Sequence, residues 1–363
     1  MTSAVLASSI AIAGLERRQH RRRWALLALL LLMLVVALLS IAIGPVTIPP
    51  AEVLRVVGDN LGLPVGEIAP QHAAVIESIR LPRTLLGLLV GAALAVAGAA
   101  MQGLFRNPLA DPGLIGVSAG SALAAVCVIV LGEQGLAFLT SALGPFSLPL
   151  AAFIGGLITT LVVYRLASRD GQTSVTTLLL AGIAINALCG AGTGLLTYLA
   201  DDQQLRNLTF WSMGSLGGAS WSQVGSVALL IALPLIALPL LARTFNALLL
   251  GEAEAGHLGI AVQRMQRLIV ALAALAVGAA VAVSGLIGFV GLVVPHLLRL
   301  AMGPDHRFLL PGAALLGGSL LLLADLLART LVTPAELPIG ILTALLGGPF
   351  FIALLMRQRG MAV

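Results

Sequence analysis

Apolar runs, most of about 20 residues and nearly free of charge, recur from Trp24 to residue 356, and they constrain this chain more than any other feature. A helix needs about 20 such residues to cross about 30 Å of hydrocarbon, where each backbone polar group must be paired inside the segment. The runs predict spans at 24–44, 84–104, 114–131, 146–164, 175–199, 223–242, 265–283, 289–302, 308–331 and 337–356. With 59% of 363 residues hydrophobic and 10% charged, a soluble globular domain is excluded. The fold class expected is an all-α polytopic membrane protein with about ten transmembrane helices.

Leu268 to Leu298 carries no charge, is too long for one span and is short for two. "SGLIGFVG" (284–291) puts three glycines at its middle, where the backbone can turn. Splitting there gives ten spans, with 15 arginines inside and 5 outside if the N-terminus is inside. Nine spans give 12 and 8, so the positive-inside bias favours ten spans and two cytoplasmic termini. The domain reading is a basic cytoplasmic segment over 1–23, a ten-helix transmembrane domain over 24–356 and a cytoplasmic tail over 357–363. Trp24 to Gly44 is long for a signal-peptide core and reads as a retained first helix.

All 20 basic residues are arginine. The phosphate-binding loop G-x-x-x-x-G-K-[ST] needs a lysine, so an ATP site of that type must lie on another polypeptide. The net charge of +5 resides mostly in arginines at the ends of apolar runs, where they set orientation and do not point to nucleic acid. Cys127 and Cys189 fall inside apolar runs and read as small packed residues without a disulfide framework. Glycine, alanine and serine run through nearly every span, which permits close helix packing in lipid.

Several patterns invite chemistry. "GVSAG" (116–120) fits the nucleophile elbow, but it heads a membrane helix without the strand that elbow requires. His20, His72, His257, His296 and His306 show no ligand spacing; His296, after Pro295, reads as a packing or hydrogen-bonding residue. "FRNPLADPGLIG" (105–116) is a stiff two-proline loop between the second and third spans. "NALLLGEAEAGHLGI" (246–260), between the sixth and seventh spans, reads either as a knob for a soluble partner or as an interfacial helix. Its Leu248, Leu249, Ala253, Ala255 and Leu258 are expected to share one face. "GLIG" opens both the third span (113–116) and the eighth (285–288), a short echo of an inverted repeat. Asp325 precedes Arg329 by four residues, the spacing of a helical ion pair. Arg80, Arg83 and Arg329 fall on the outside, where arginine is usually avoided.

The motifs "RLPR" (80–83), "GAALAVAGAAMQGLFRNPLADPGLIGVSAG" (91–120), "LLLAGIAINAL" (178–188), "NALLLGEAEAGHLG" (246–259), "GFVGLVVPHLLRL" with "DHRFLLPG" (within 288–312), "ADLLAR" (324–329) and "ELPIGILTALLGGPFF" (336–351) together resemble the FecCD family. These are permease subunits of bacterial ABC importers for iron chelates, haem and vitamin B12. The resemblance implies a type II, BtuC-like importer fold in the bacterial inner membrane and a homodimer with a pathway along its axis. It implies two copies of a separate ATPase, which would bind ATP and magnesium, and a periplasmic substrate-binding protein. No cofactor is expected in this chain, and no enzymatic activity of its own.

By the same resemblance, Arg80, Arg83 and Arg329 are expected to dock the binding protein through its acidic residues. Asn246, Leu250, Gly251, Glu252, Glu254, Ala255 and Gly259 are expected to couple to the ATPase. Asn107, Leu109 and Thr176 are expected at a cytoplasmic gate. Gly182, Asn186, Gly190 and Gly194, with Gly192, are expected to line the pathway. "INALCGAGTGLL", "DDQQLRNLTFWSMGSLG" and "ARTLVTPAELP" look most like the haem branch, ahead of ferric siderophore and vitamin B12. A secondary transporter would place more ionisable residues near mid-span than Asp325 and the neutral Asn186.

Overall fold

The computed structural model describes residues 2–60, 62, 66, 68–132, 135–169, 172–332 and 335–359, with side chains from Gln19 onward except at 60, 139, 355 and 357–359. Each of the ten apolar runs becomes a helix. α1 is Thr2–Ala42, with its apolar part at Gln19–Ala42. Two short helices, α2 (Pro50–Asn60) and α3 (Pro70–Val75), precede a π-helical turn, Ile76–Arg80, and α4 (Leu81–Leu104). A 3₁₀ turn, Pro112–Ile115, leads into α5 (Val117–Leu131). α6 (Ala137–Leu143) and α7 (Ser147–Ala167) follow, and then a two-stranded hairpin pairs Ser168 with Thr173. Next come α8 (Val175–Leu199), α9 (Asp202–Met213), α10 (Trp221–Leu240), α11 (Ala242–Leu248) and α12 (Glu252–His257). α13 (Val262–Ser284), α14 (Val290–Met302), α15 (His306–Ala328) and α16 (Ile339–Arg359) complete the bundle.

Seven of these helices are long and apolar enough to cross a membrane, and α5, α14 and α16 supply shorter apolar helices. Thr2–Ala42 form one helix, so most of the expected basic segment 1–23 is continuous with the first span. Of the expected tail, 357–359 ends α16, and 360–363 lie outside the described residues.

Helix starts follow local chemistry. Ser174, Asp201, Ser220 and Asp305 each accept a backbone N–H from the first turn of α8, α9, α10 and α15. At α9, Asp201 and Gln204 complete a reciprocal capping box.

α4 is the centre of the bundle and is buried along nearly its whole length. Small residues let its neighbours approach to backbone contact. A Cβ at Gly98 would lie 1.9 Å from the carbonyl oxygen of Gly291 on α14. A Cβ at Gly91 would lie 2.4 Å from that of Gly317 on α15. With lipid as apolar as the side chains, such close packing is what holds helices together.

The two "GLIG" segments meet. Gly113 on one side and Leu286, Ile287 and Gly288 on the other line a cavity of about 270 Å³, together with Asp111, Ser118 and Phe289. The first copy ends on a left-handed residue, Gly116 (φ 86°), before α5, and the second is followed by one, Phe289 (φ 67°), before α14. Both copies of the short echo thus lie beside a helix start and line the same cavity.

Candidate functional site

Polar residues gather at the two ends of α1, α4 and α15. At one end the three expected docking arginines lie close together, but they are buried and engaged within the chain. Arg80 is 3% exposed and donates to the carbonyls of Ile41 and Ala42, each at 2.8 Å, and to that of Val46. These include the orphan acceptors that end α1, so Arg80 caps that helix at the negative end of its dipole. Gly44 leaves room for the guanidinium, since a Cβ there would sit 3.0 Å from its Nη2.

Arg83 is 6% exposed and forked between two carboxylates. Its Nε and Nη2 donate to Asp325 at 3.0 and 2.8 Å, and its Nη1 and Nη2 donate to Glu336 at 2.8 and 2.9 Å. Asp325 is fully buried. The i,i+4 pairing with Arg329 expected from the sequence is the weaker contact, at 3.6 Å from Arg329 Nε to Asp325 Oδ2. Arg329 instead donates from Nη2 to the carbonyl and hydroxyl of Ser40 on α1, at 2.7 and 3.0 Å. Ser40 Oγ also lies 2.8 Å from Thr84 Oγ1. Glu336 stands just outside the helices, and the hydrogen bonds from Arg83 hold its carboxyl below the ordinary 4.5 in spite of burial.

At the other end, Asp305 joins three segments. It accepts Asn246 Nδ2 at 2.7 Å, Arg22 Nη1 at 3.1 Å and the Arg307 N–H at 3.1 Å. Burial pushes its carboxyl up, but these donors and the nearby arginines outweigh it and leave the group below its ordinary range. Asn246 Oδ1 accepts the His306 N–H at 2.9 Å. The His306 ring is buried and stacked on Phe245, with centroids 5.0 Å apart. Arg22 also donates to the Met302 carbonyl at 2.8 Å and lies 5.2 Å over the Phe308 ring.

The segment 246–259 divides into an anchored side and an open side. Asn246 is tied to Asp305 and His306, and Leu248 and Ala255 are buried. Leu249, Leu250 and Leu258 are exposed, as are Ala253 and Glu254, whereas Glu252 is half-buried. The single apolar face expected from the sequence is thus split, with Leu248 and Ala255 facing in and Leu249, Ala253 and Leu258 facing out. Gly251 (φ 126°) and Gly259 (φ 82°) supply the left-handed turns that bracket α12.

Asn107 and Leu109 are exposed on the loop after α4, where Asn107 Oδ1 accepts the Leu109 N–H at 2.9 Å. Thr176 is exposed in the first turn of α8. Gly182 packs on the backbone of Leu114, where a Cβ would lie 1.8 Å from its carbonyl oxygen. Asn186 donates to the Gly113 carbonyl at 3.0 Å. Gly192 faces Leu123, while Gly190 and Gly194 face open space. The structure therefore separates these five: the first two hold α8 against the start of α5, and Gly190 and Gly194 leave a free surface.

Ser118 lines the cavity with Asp111, and none of that cavity's lining residues is a histidine. His296 is buried edge-on to Phe350 at 5.8 Å, with neither ring nitrogen partnered among the described residues. The Arg80, Asn246 and Asp305 contacts were invisible in the sequence, since each joins residues 34 or more positions apart.

A bundle of apolar helices, sealed by buried ion pairs and carrying a small exposed knob, defines a multi-pass membrane protein. Residues 31–357 match the FecCD transport family, and the chain belongs to that family. It is 56% identical over 292 residues to the hemin transport system permease protein HmuU of Yersinia pestis, spanning 78% of this chain and 83% of that one. It is 44% identical over 347 residues to the vitamin B12 import system permease protein BtuC of Escherichia coli, spanning 95% of this chain and 99% of that one. Among solved structures it is similar to an inward-facing conformation of a metal-chelate type ABC transporter. That likeness has a TM-score of 0.79 and 34% identity, and covers 92% of this chain and 98% of the other. The chain is a permease subunit of an ABC importer, which implies an ATPase and a binding protein as partners.

Proposed function

We propose that this chain is the permease of an ATP-driven haem importer in the bacterial inner membrane. The observation that carries the substrate is the 56% identity to a hemin permease, against 44% to a vitamin B12 permease. Two copies form the pathway along their shared axis, and the open faces around Gly190 and Gly194 on α8 support that arrangement. Both termini lie in the cytoplasm, as the arginine distribution favours. Two ATPase subunits dock on the open side of 246–259, through Leu249, Leu250 and Leu258 with Glu254, while Glu252 lies partly beneath. Asn107, Leu109 and Thr176, exposed on the same side, form the gate.

The periplasmic binding protein docks over Arg80, Arg83 and Arg329. Three guanidinium groups against Asp325 and Glu336 leave one positive charge in excess, so the cluster attracts acidic side chains as a unit. Glu336 is its most accessible member, with 36% of its side chain exposed. Charge complementarity at such a surface sets orientation and encounter rate more than affinity.

The test is complementation. A bacterial strain lacking its own haem permease is given this chain with its cognate ATPase and binding protein, and supplied with haem as its only iron. Growth supports the reading. Growth rescue only in a vitamin B12-requiring strain would assign the chain to the cobalamin branch.

A further inference from the structure

We propose that α1, α4 and α15 form one rigid strut, fixed by Asp305 at its cytoplasmic end and by Asp325 at its outer end, that transmits movement of the ATPase-docked segment to the binding-protein surface. Asp305 is its positioning residue. The inference rests on the docking surfaces proposed above and adds the route between them.

Three observations carry it. First, the same three helices are cross-linked at both ends. Arg22 on α1 and Asp305 at the start of α15 meet at 3.1 Å, and His306 beside them packs on Gly103 of α4, where a Cβ would lie 2.7 Å from Nε2. At the far end, Ser40 on α1, Arg83 and Thr84 on α4 and Asp325 and Arg329 on α15 are hydrogen-bonded together. From Arg22 to Ser40, Arg83 to Gly103 and Asp305 to Asp325, a rise of 1.5 Å per residue gives about 27–30 Å, the thickness of the hydrocarbon.

Second, α4 and α15 cannot slide between those ends. A Cβ at Gly317 would lie 2.4 Å from both the Gly91 carbonyl oxygen and Ala95 Cβ, and one at Gly87 would lie 2.7 Å from Leu322. Backbones locked at this distance move together. Third, the ATPase-docked segment is hydrogen-bonded into the strut by Asn246, which donates from Nδ2 to Asp305 and accepts the His306 N–H. Coupling between distant sites travels through packed side chains, polar networks and rigid elements, and all three are continuous here.

The experiment uses this chain reconstituted in liposomes with its ATPase and binding protein. Substrate taken up per ATP, and the stimulation of hydrolysis by the binding protein, are measured for wild type, Asp305→Asn and Gly317→Ala. Neither substitution touches the open side of 246–259 or the Arg83 cluster. Both variants are expected to capture the ATPase as wild type does and to keep basal hydrolysis within about twofold, while uptake per ATP falls about tenfold. Unchanged uptake per ATP in Asp305→Asn would reduce Asp305 to a helix cap and overturn the strut. Loss of ATPase capture by Asp305→Asn would also overturn it, since the residue would then build the dock. A wild-type chain that fails to capture the ATPase would instead overturn the docking reading.

Discussion

Arg83 and Asp325 lie 242 positions apart, yet the guanidinium of one and the carboxylate of the other close on each other through bonds of 2.8–3.1 Å. The carboxylate is fully buried and the arginine nearly so. An arginine on the side that the charge bias assigns to the outside is accounted for first by this pairing.

Breaking that pair leaves an uncompensated buried charge. Asp325→Ala is expected to cost about 3–5 kcal/mol, as removal of one partner of a buried pair does. Thermal unfolding in detergent checks this. A shift no larger than that of an exposed substitution such as Leu331→Ala would contradict the buried geometry.

Glu336 offers a pH-dependent counterpart. Arg83 holds its folded carboxyl below 4.5, so its contribution is fully present above that value and is lost as pH falls through the lowered one. Glu336→Gln is therefore expected to be less stable than wild type at neutral pH, with the gap narrowing only below about pH 4.5. A gap that stays constant down to pH 3 would mean the pair adds nothing.

The knob should act through its apolar side. Leu250→Asp combined with Leu258→Asp is expected to abolish ATPase co-purification while leaving the fold intact, because both side chains are mostly exposed. Glu254→Ala should weaken capture less. Full capture by the double variant would move the docking surface elsewhere.

Two glycines make a matched pair. Gly98→Ala drives a Cβ into the Gly291 carbonyl, and such overpacking costs about 1–3 kcal/mol. Gly190→Ala meets nothing within 4 Å and is expected to leave thermal stability unchanged or slightly raised. Equal effects from both would contradict the packing of α4 on α14.

The helices were legible because a span is a matter of length and apolarity; seven of the runs became helices with both, and the other three became shorter apolar helices. The split at "SGLIGFVG" was legible for the same reason that it occurs, since Gly285 takes a left-handed turn that ends α13. Partners were not legible. The i,i+4 rule nominated Arg329 for Asp325, and Arg83 took it, because tertiary packing brings a better-oriented fork to the carboxylate. Nor does a sequence show which face of 246–259 is covered, so Leu248 and Leu258 read alike and ended on opposite sides. Arg80 looked free for a partner because the carbonyl groups that it caps belong to a helix ending 38 residues earlier.

The most direct measurement is haem uptake into proteoliposomes that hold this chain with its ATPase, with binding protein and haem outside and ATP within the lumen. Accumulation that requires both ATP and the binding protein is the predicted result. Uptake driven by a proton or sodium gradient without ATP would contradict the account at its centre.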